Sequence, residues 1–261
     1  MNIPIWQVDA FATKVFAGNP AAVCWLDEWL DDGVLQALAA ENNLSETAFL
    51  VPRGGEIELR WFTPLAEVAL CGHATLAAAK VLFDLRGWKE ESIRFRTRQR
   101  GVLTVAKRGE WFEMDFPALP ATPVQTPAGL AAALGIEPRR VLESTDDWLV
   151  VLDDEAAVRN LKPDLASAAK FNCRCLVPTA RGDAADFVSR AFAPRIGIPE
   201  DPVTGSAHCA LAPYWTGVLG KDELRAFQVS ARGGEVRCRV AGDRVKLAGQ
   251  AVVFLEGTIS V

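Results

Sequence analysis

A short pattern occurs once in each half of this 261-residue chain and limits the folds that the chain can adopt. In the first half, Phe62-Thr63-Pro64 is followed a few residues later by Cys71-Gly72-His73-Ala74. In the second half, Phe192-Ala193-Pro194 precedes Thr204-Gly205-Ser206-Ala207 in a similar way. Each copy predicts a strand that ends at Phe-x-Pro, a short loop, and a glycine turn that opens an apolar helix. A repeat of this kind indicates two similar lobes.

A proline-rich stretch separates the two halves. Residues 117–128 contain four prolines, which helix interiors and central strands do not tolerate. We therefore predict a linker here, an N-terminal lobe over residues 1–118 and a C-terminal lobe over residues 119–250. The last strand, near residues 251–261, is expected to complete the N-terminal lobe.

Hydrophobic periodicity predicts strands and helices in both halves. Segments that alternate between apolar and polar residues, or that are short and apolar, predict strands, and longer segments rich in alanine and leucine predict helices. The predicted strands are residues 3–11, 21–26, 47–51, 57–62, 93–98, 103–107, 111–116, 148–152, 175–179, 186–192, 236–240, 244–247 and 252–259. The predicted helices are residues 34–41, 74–85, 127–134, 163–170 and 206–218, and Asp31 or Asp32 is a candidate N-cap for the first.

Composition and charge exclude several classes of partner. The net charge is −5 and no basic face is clustered, so we expect no nucleic acid partner. The longest apolar stretch, residues 65–83, is interrupted by charged residues, and the N-terminus lacks the features of a signal peptide. Six cysteines without Cys-x-x-Cys spacing and two histidines argue against a zinc site. We therefore expect a cytoplasmic protein with reduced cysteines, no metal and no membrane partner.

The two glycine turns are candidate sites for an anion. A helix N-terminus presents unpaired backbone N–H groups and a partial positive charge, and glycine allows a ligand to approach closely. Gly72 and Gly205 could therefore bind a carboxylate together, or could simply permit tight turns before buried helices. Both histidines lie close to these turns. His73 is the candidate for proton transfer, while His208, deeper in its helix, is interpreted as structural.

Two acidic residues are candidates for general acid–base chemistry. Glu46 lies in a polar segment, Asn43-Leu44-Ser45-Glu46-Thr47, and could be a solvated cap or a partly buried base whose pKa is raised toward neutrality. Asp201 precedes a proline turn and could cap that turn or take part in the chemistry. The nucleotide, metalloprotease and serine-hydrolase motifs are absent from the sequence, which favours chemistry that uses neither a nucleotide nor a metal.

Five segments, in order and over most of the chain, resemble the PhzF-like (phenazine-biosynthesis-like) proteins. They are VDAF (8–11) with FAGNP (16–20), NLSET (43–47), RWFTP (60–64), CGHATLA (71–77) and DPVTGSA (201–207). The resemblance implies the α+β fold of diaminopimelate epimerase-like proteins, with two pseudo-symmetric lobes. In that fold each lobe is a mostly antiparallel sheet wrapped around a central helix, and the active site lies between the lobes. It also implies a homodimer that needs no cofactor and acts on a small molecule.

The resemblance further implies roles for residues in the matched segments. Glu46 would shuttle a proton between two carbons of a small cyclic amino acid, assisted by His73 and Asp201. The positions that match Gly72 and Ser206 would hold the substrate, and we expect the same of the residues that lie in or beside these segments. Those further substrate-binding candidates are Asn19, Ser45 and Gly205.

The sequence leaves two other functions open. Related epimerases use one cysteine in each glycine turn; this chain has Cys71 in the first turn but Thr204 in the second, so a two-thiol racemase is not expected, although Cys71 could be one half of an acid–base pair. The other alternative is a protein that keeps the fold and the cleft but binds a small molecule without catalysis. The favoured interpretation is a cofactor-independent isomerase of a small carboxylated, cyclic or amino-acid-like compound.

Overall fold

The computed structural model describes residues 1–261, and the chain divides into two compact units. Unit 1 comprises Met1–Asp115 together with Ala248–Val261, and unit 2 comprises Phe116–Leu247. The C-terminal segment belongs to unit 1 because its strand pairs with the first strand of the chain over nearly their whole length.

Strands dominate both units. The strands are β1 (Asn2–Ala10), β2 (Asn19–Trp25), β3 (Glu46–Arg53), β4 (Glu56–Phe62), β5 (Glu67–Val68), β6 (Ser92–Thr97), β7 (Val102–Arg108), β8 (Trp111–Pro117), β9 (Thr122–Val124), β10 (Arg140–Glu143), β11 (Asp147–Val151), β12 (Cys175–Arg181), β13 (Phe187–Ser189), β14 (Glu223–Gln228), β15 (Gly234–Ala241), β16 (Arg244–Gly249) and β17 (Ala251–Ser260).

The α-helices are fewer and mostly short. They are α1 (Asp32–Asn42), α2 (Gly72–Lys80), α3 (Leu130–Leu134), α4 (Glu155–Asn160), α5 (Leu165–Ala168) and α6 (Gly205–Leu219). One π-helical turn, Val81–Leu85, continues α2, and one 3-10 turn spans Pro194–Ile196. No helix in the structure is both long and apolar enough to cross a membrane.

The two units pair their strands in the same order. In unit 1, β1–β2 is antiparallel, β2–β3 parallel, β3–β4 antiparallel, β4–β6 parallel and β6–β7 antiparallel. In unit 2, β10–β11, β11–β12, β12–β13, β13–β14 and β14–β15 follow the same alternation. The helices occupy corresponding places along the chain: α2 connects β4 to the β6 region, and α6 connects β13 to β14. The repeat predicted from the sequence is therefore present in the topology.

Each unit packs its sheet around one buried helix. In α2 every residue from His73 to Ala79 is buried, and the helix contacts β1, β2, β3 and β17. In α6 the residues from Ala207 to Ala212 are buried, and the helix contacts β11, β14 and β15. Alanine is frequent in both helices, and its small side chain lets strands approach the helix closely on several sides. Each unit is thus a mixed, mostly antiparallel sheet around a central helix.

Several predicted elements differ in extent from the observed ones. The proline-rich linker contains β9, in which Pro123 pairs with Leu142 of β10; a three-residue strand tolerates a proline that a long central strand would not. The strand predicted over residues 186–192 is reduced to β13, Phe187–Ser189. Asp31 is the N-cap of α1, as predicted, but its side chain makes no capping hydrogen bond.

Candidate active site

Two elements of unit 1 begin next to each other and bring Glu46 and His73 into contact. Glu46 is the first residue of β3, and His73 is the second residue of α2. Glu46 Oε2 lies 3.1 Å from His73 Nε2, and their side chains are only 14% and 8% exposed. The contact is an ion pair, and the ring N–H is not aligned well enough with the carboxylate for a full hydrogen bond. A proton acceptor and a proton donor therefore lie side by side in a largely buried place.

Local backbone geometry fixes both residues. Asn43 ends α1 in the left-handed conformation, with φ of 47°, so the chain turns sharply and enters β3 at Glu46. On the other side, Cys71 is the N-cap of α2 in an extended conformation, and its carbonyl accepts hydrogen bonds from the backbone and hydroxyl of Thr75. These bonds hold the first turn of α2 and hence the ring of His73.

The second ring nitrogen of His73 contacts two other side chains. Nδ1 lies 3.5 Å from Cys71 Sγ and 3.3 Å from Asn19 Nδ2. The amide oxygen of Asn19 in turn accepts a hydrogen bond of 3.3 Å from the Ser45 hydroxyl. Four predicted site residues therefore form one connected group with Cys71. This acid–base group consists of Asn19, Ser45, Glu46, Cys71 and His73.

The pKa of Glu46 differs from the prediction made from its sequence context. Burial alone would raise it, but the charge of His73 and polar contacts from His73 and Cys71 outweigh burial, so the pKa lies below its ordinary value of 4.5. Of the two alternatives that the sequence left open for Glu46, the partly buried base has the burial that was described, but its pKa is lowered rather than raised. Glu46 is a carboxylate at neutral pH and can accept a proton.

The neighbouring groups respond to the same charges. Burial lowers the pKa of His73, but the charge that Cys71 carries when it is ionised, the charge of the Glu46 carboxylate and the polar contacts with both raise it well above its ordinary value. Burial, with the charge of Glu46, raises the pKa of the Cys71 thiol to about 11. At neutral pH the group therefore contains the Glu46 carboxylate and an un-ionised thiol, and the carboxylate is the charge that favours the protonated form of His73.

The group also contains atoms of the types that bind transition metals. One ligand atom each from Glu46, Cys71 and His73 lies within 4.8 Å of the others, a set that Zn²⁺ accepts in kind. However, Glu46 contacts one ring nitrogen of His73 and Cys71 contacts the other. One ion could bind only one of those nitrogens, so the present contacts fit an acid–base group better than a metal centre.

In unit 2, Asp201 belongs to a hydrogen-bonded cluster in front of α6. Its carboxylate accepts a hydrogen bond of 2.6 Å from the Thr204 hydroxyl. The buried side chain of Gln228, at the end of β14, donates to the Asp201 carbonyl at 2.7 Å and accepts from the Thr204 backbone N–H at 2.9 Å. Thr204, the N-cap of α6, gives no side-chain capping bond to the helix. Its hydroxyl is directed to Asp201 instead.

An arginine contacts the first turn of α6. Gly205 and Ser206 are the first two residues of that helix. Arg174 Nη2 donates to the Ser206 hydroxyl at 3.0 Å and to Asp147 Oδ2 at 2.5 Å. Burial raises the pKa of Asp147, although the charge of Arg174 opposes this. A guanidinium can only donate, so the single proton of Ser206 is free to point to another acceptor.

His208 has a structural environment. It is fully buried, and Nδ1 donates to the Thr204 carbonyl at 2.8 Å. Burial lowers its pKa to about 4, so it is neutral at neutral pH. This agrees with its interpretation from the sequence and contrasts with His73.

Three residues of these clusters were not predicted from the sequence: Arg174, Asp147 and Gln228. For Asp147 and Arg174 a signal existed, because each directly precedes a predicted apolar strand, at residues 148–152 and 175–179; Gln228 is the last residue of β14, a strand that the periodicity did not predict. Many surface residues share that signal, and only the three-dimensional contacts distinguish these three. Of the predicted residues, Asn19, Ser45, Glu46, Gly72 and His73 lie in unit 1, and Asp201, Gly205 and Ser206 lie in unit 2.

The chain is similar to several known proteins over its whole length. It is 54% identical to an uncharacterized isomerase of Pseudomonas aeruginosa, with 99% of each chain covered. It is 44% identical to a PhzF-family phenazine biosynthesis protein of Enterococcus faecalis, whose crystal structure covers 100% of both chains with a TM-score of 0.98. A probable proline racemase from Agrobacterium radiobacter shares the fold at 11% identity, with a TM-score of 0.65 over 99% of this chain and 93% of the other.

These similarities establish the fold and the class of enzyme. The α+β, diaminopimelate epimerase-like fold implied by the sequence resemblance is confirmed. Three curated relatives, which the chain matches over 99% of their length, are named isomerases, and this chain is an enzyme of the isomerase class. The family described as phenazine biosynthesis-like protein matches residues 8–257, and the chain belongs to that family.

Proposed function

We propose that this enzyme is a cofactor-independent isomerase that moves a proton within a small carboxylated, cyclic or amino-acid-like substrate, with Glu46 as the general acid and base. The contact between Glu46 and His73 carries the proposal: a carboxylate ionised at neutral pH lies 3.1 Å from an imidazole nitrogen in a largely buried place, and the pKa of that imidazole is raised. Such a carboxylate can take a proton from carbon and return it, which is the whole chemistry of an isomerase of this type.

The proposed reaction has two steps and conserves every atom. Glu46 removes a proton from a carbon next to an activating group, and the C–H electron pair is delocalised into that group. Glu46, now a carboxylic acid, delivers a proton to a different carbon, and deuterium enters the product whenever the carboxylic acid proton exchanges with water before that delivery. The charge of His73 stabilises the carboxylate before the first step and after the second, and Asp201 is proposed to assist.

The residues proposed to bind the substrate lie at the N-terminus of the central helix in each unit. Neither Cys71 nor Thr204 caps its helix with a side chain, so backbone N–H groups at Gly72 and Gly205 remain suited to a carboxylate. The Ser206 hydroxyl has its proton available because Arg174 donates to its oxygen. Ser45 is a further candidate through its hydroxyl. Together these donors favour a substrate with a negative charge.

Hydrogen exchange in deuterated water tests the proposal. A panel of small cyclic and linear amino acids and unsaturated carboxylic acids would be incubated with wild type and with Glu46→Gln and followed by NMR. Deuterium that enters one compound with wild type, but at least ~100-fold more slowly with Glu46→Gln, supports the proposal. The exposed Glu41 gives the matched control, since Glu41→Gln makes the same chemical change and should leave exchange unchanged. Exchange that survives Glu46→Gln would contradict the assignment of Glu46.

A second candidate function uses Cys71 as the base of an epimerase. The 3.5 Å contact between Cys71 and His73 favours it, whereas the raised pKa of the thiol opposes it. Cys71→Ser would abolish exchange in that case and would leave most of it under the proposal for Glu46. A non-catalytic binding protein would bind a compound of the panel without any exchange of carbon-bound hydrogen.

We also infer that the enzyme is a cytoplasmic homodimer. All six cysteines are free and buried, which suits a reducing compartment. In unit 1, Phe16 is 69% exposed and stacks edge-on against the half-exposed Phe254, and aromatic surface of this kind favours contact with a partner. Light scattering on the purified protein checks the dimer by its mass.

A further inference from the structure

Asn19 is a buried residue whose amide joins two parts of the acid–base group. It is the first residue of β2 and has no exposed surface. A side chain with no exposed surface offers a substrate nothing to touch. Its contacts with His73 and Ser45 therefore call for an explanation other than the substrate binding expected from the sequence.

The amide matters because the ring of His73 has two distinct nitrogens. Nε2 faces Glu46, and Nδ1 faces the Asn19 Nδ2 group at 3.3 Å. The Ser45 hydroxyl donates to Asn19 Oδ1, which directs the amide N–H groups toward His73. An N–H that points at Nδ1 needs a lone pair there, so the neutral ring must carry its proton on Nε2.

We propose that Asn19 is a positioning residue that holds the proton of neutral His73 on Nε2, where it faces Glu46. The amide suits this task because it can also turn by half a rotation and accept from Nδ1–H when the ring is protonated. Ser45 can follow that turn, since a hydroxyl either donates or accepts. Asn19 thus satisfies Nδ1 in both protonation states and leaves Nε2–H as the constant partner of Glu46.

The titratable groups that face His73 are Glu46 on β3 and Cys71 at the start of α2. Both favour the same tautomer as Asn19, with the proton on Nε2, because the carboxylate attracts Nε2–H and the un-ionised thiol can donate to Nδ1. The importance of this tautomer for catalysis rests on the proposed function. If the neutral ring carried its proton on Nδ1, the lone pair of Nε2 would face the Glu46 carboxylate. The position of the proton itself does not depend on any activity.

Nitrogen NMR on ¹⁵N-histidine-labelled protein measures the position of the proton directly. The chain has only two histidines, so the ring signals are assigned by comparison with His73→Gln. His208 is an internal control, because its Nδ1 donates to a carbonyl and its neutral ring must have the opposite tautomer. We expect neutral His73 to show a protonated Nε2 and a bare Nδ1 when the pH is raised. A neutral His73 with its proton on Nδ1 would overturn the proposal.

Variants separate the influence of Asn19 from that of Glu46. In Glu46→Gln the charge that raises the pKa of His73 is removed, and residue 46 can then accept or donate. The Nε2–H tautomer should persist there if Asn19 selects it. In Asn19→Asp the new carboxylate can only accept, so Nδ1 should stay protonated and the proton affinity of His73 should rise about tenfold or more. The exposed Asn160 gives the matched control, Asn160→Asp, with no change expected.

Ser45→Ala provides a second test in case Asn19→Asp folds poorly. Loss of the hydroxyl frees the amide, and neutral His73 should then populate both tautomers. Unchanged tautomers in both Asn19→Asp and Ser45→Ala would overturn the proposal. Once exchange identifies a substrate, Asn19→Leu should lower kcat about tenfold or more with little change in KM, whereas a substrate-binding role would mainly raise KM. Failure of the exchange experiment would leave the NMR result standing, so the two proposals fail separately.

Discussion

Two histidines in this chain have opposite electrostatic environments, although each lies in the first turns of a buried helix. His73 has carboxylate and thiol neighbours, which raise its pKa, while His208 has only a backbone carbonyl and apolar groups, and its pKa falls to about 4. Residue type and position selected His73 as a candidate from the sequence, and the resemblance to the PhzF-like proteins was needed to select Glu46. The direction of the Glu46 pKa was not predictable, because it depends on a contact between residues that β3 and α2 bring together across 27 positions of the chain.

The Glu46–His73 ion pair predicts a specific pH dependence of stability. The lowered pKa of Glu46 contributes stability above pH 4.5, and this is lost as the pH falls through the folded-state pKa. The raised pKa of His73 contributes stability below pH 6.5, and this is lost as the pH rises through its folded-state pKa. Between these values both contributions are complete. Urea denaturation of wild type and Glu46→Gln should therefore differ most in that range, by about 1–3 kcal/mol.

The comparison needs a control because many carboxylates titrate below pH 4.5. Glu41 is exposed, so the difference between wild type and Glu41→Gln should stay within about 0.5 kcal/mol at every pH. If the difference in the free energy of unfolding between wild type and Glu46→Gln does not shrink below pH 4.5, Glu46 stabilises the fold by packing rather than by charge.

At the scale of elements, the glycine turns were the most informative parts of the sequence. Both central helices begin at the predicted glycines, Gly72 and Gly205, because the apolar residues that follow are buried on all sides. Short elements were less predictable. The strand β9 forms in a proline-rich segment because β10 is available as its partner, and such long-range pairing is invisible in local composition.

The backbone at Gly18, in the turn before β2, lies so close to the carbonyl oxygen of Ala10 that only glycine fits there. Its φ is +64°, and a Cβ atom there would lie 2.1 Å from the carbonyl oxygen of Ala10. Gly242 has nearly the same φ, +63°, but no atom within 4 Å of its Cβ position. We expect Gly242→Ala to cost about 1 kcal/mol from strain alone. Gly18→Ala should cost about 1–3 kcal/mol more, measured by urea denaturation, because the backbone must also move.

That movement should reach the acid–base group, because Asn19 is the next residue. Gly18→Ala should therefore alter the ring signals of His73 in the NMR experiment, while Gly242→Ala, which is in unit 2, should not. Equal losses of stability in the two variants would show that the backbone conformation, and not the close approach, makes glycine necessary at position 18.

At the scale of the whole molecule, the strand order repeats although little sequence does. The two copies share a Phe-x-Pro segment and a glycine turn, yet five consecutive strand pairings alternate identically in both units. The repeated motif could indicate two similar lobes because it recurs before each central helix. It could not give the parallel pairings, since these join strands separated by a helix.

The cysteines are distributed over both units, and all six are buried. Burial raises the pKa of each thiol, to about 12 for Cys24, Cys173 and Cys209 and to about 11 for Cys71, so thiolate is scarce at neutral pH. We expect native protein to react slowly with Ellman's reagent and all six thiols to react once guanidinium unfolds the chain.

The rate with native protein also separates the two enzyme functions. An epimerase that uses Cys71 as a base needs a thiolate that is accessible to a ligand, and such a thiolate would react rapidly. One fast thiol in native protein that disappears in Cys71→Ser, but persists in the control Cys238→Ser, would therefore contradict the raised pKa of Cys71 and favour the epimerase. Slow reaction of all six leaves the carboxylate of Glu46 as the ionised base in the acid–base group of unit 1, because the Cys71 thiol is un-ionised at neutral pH.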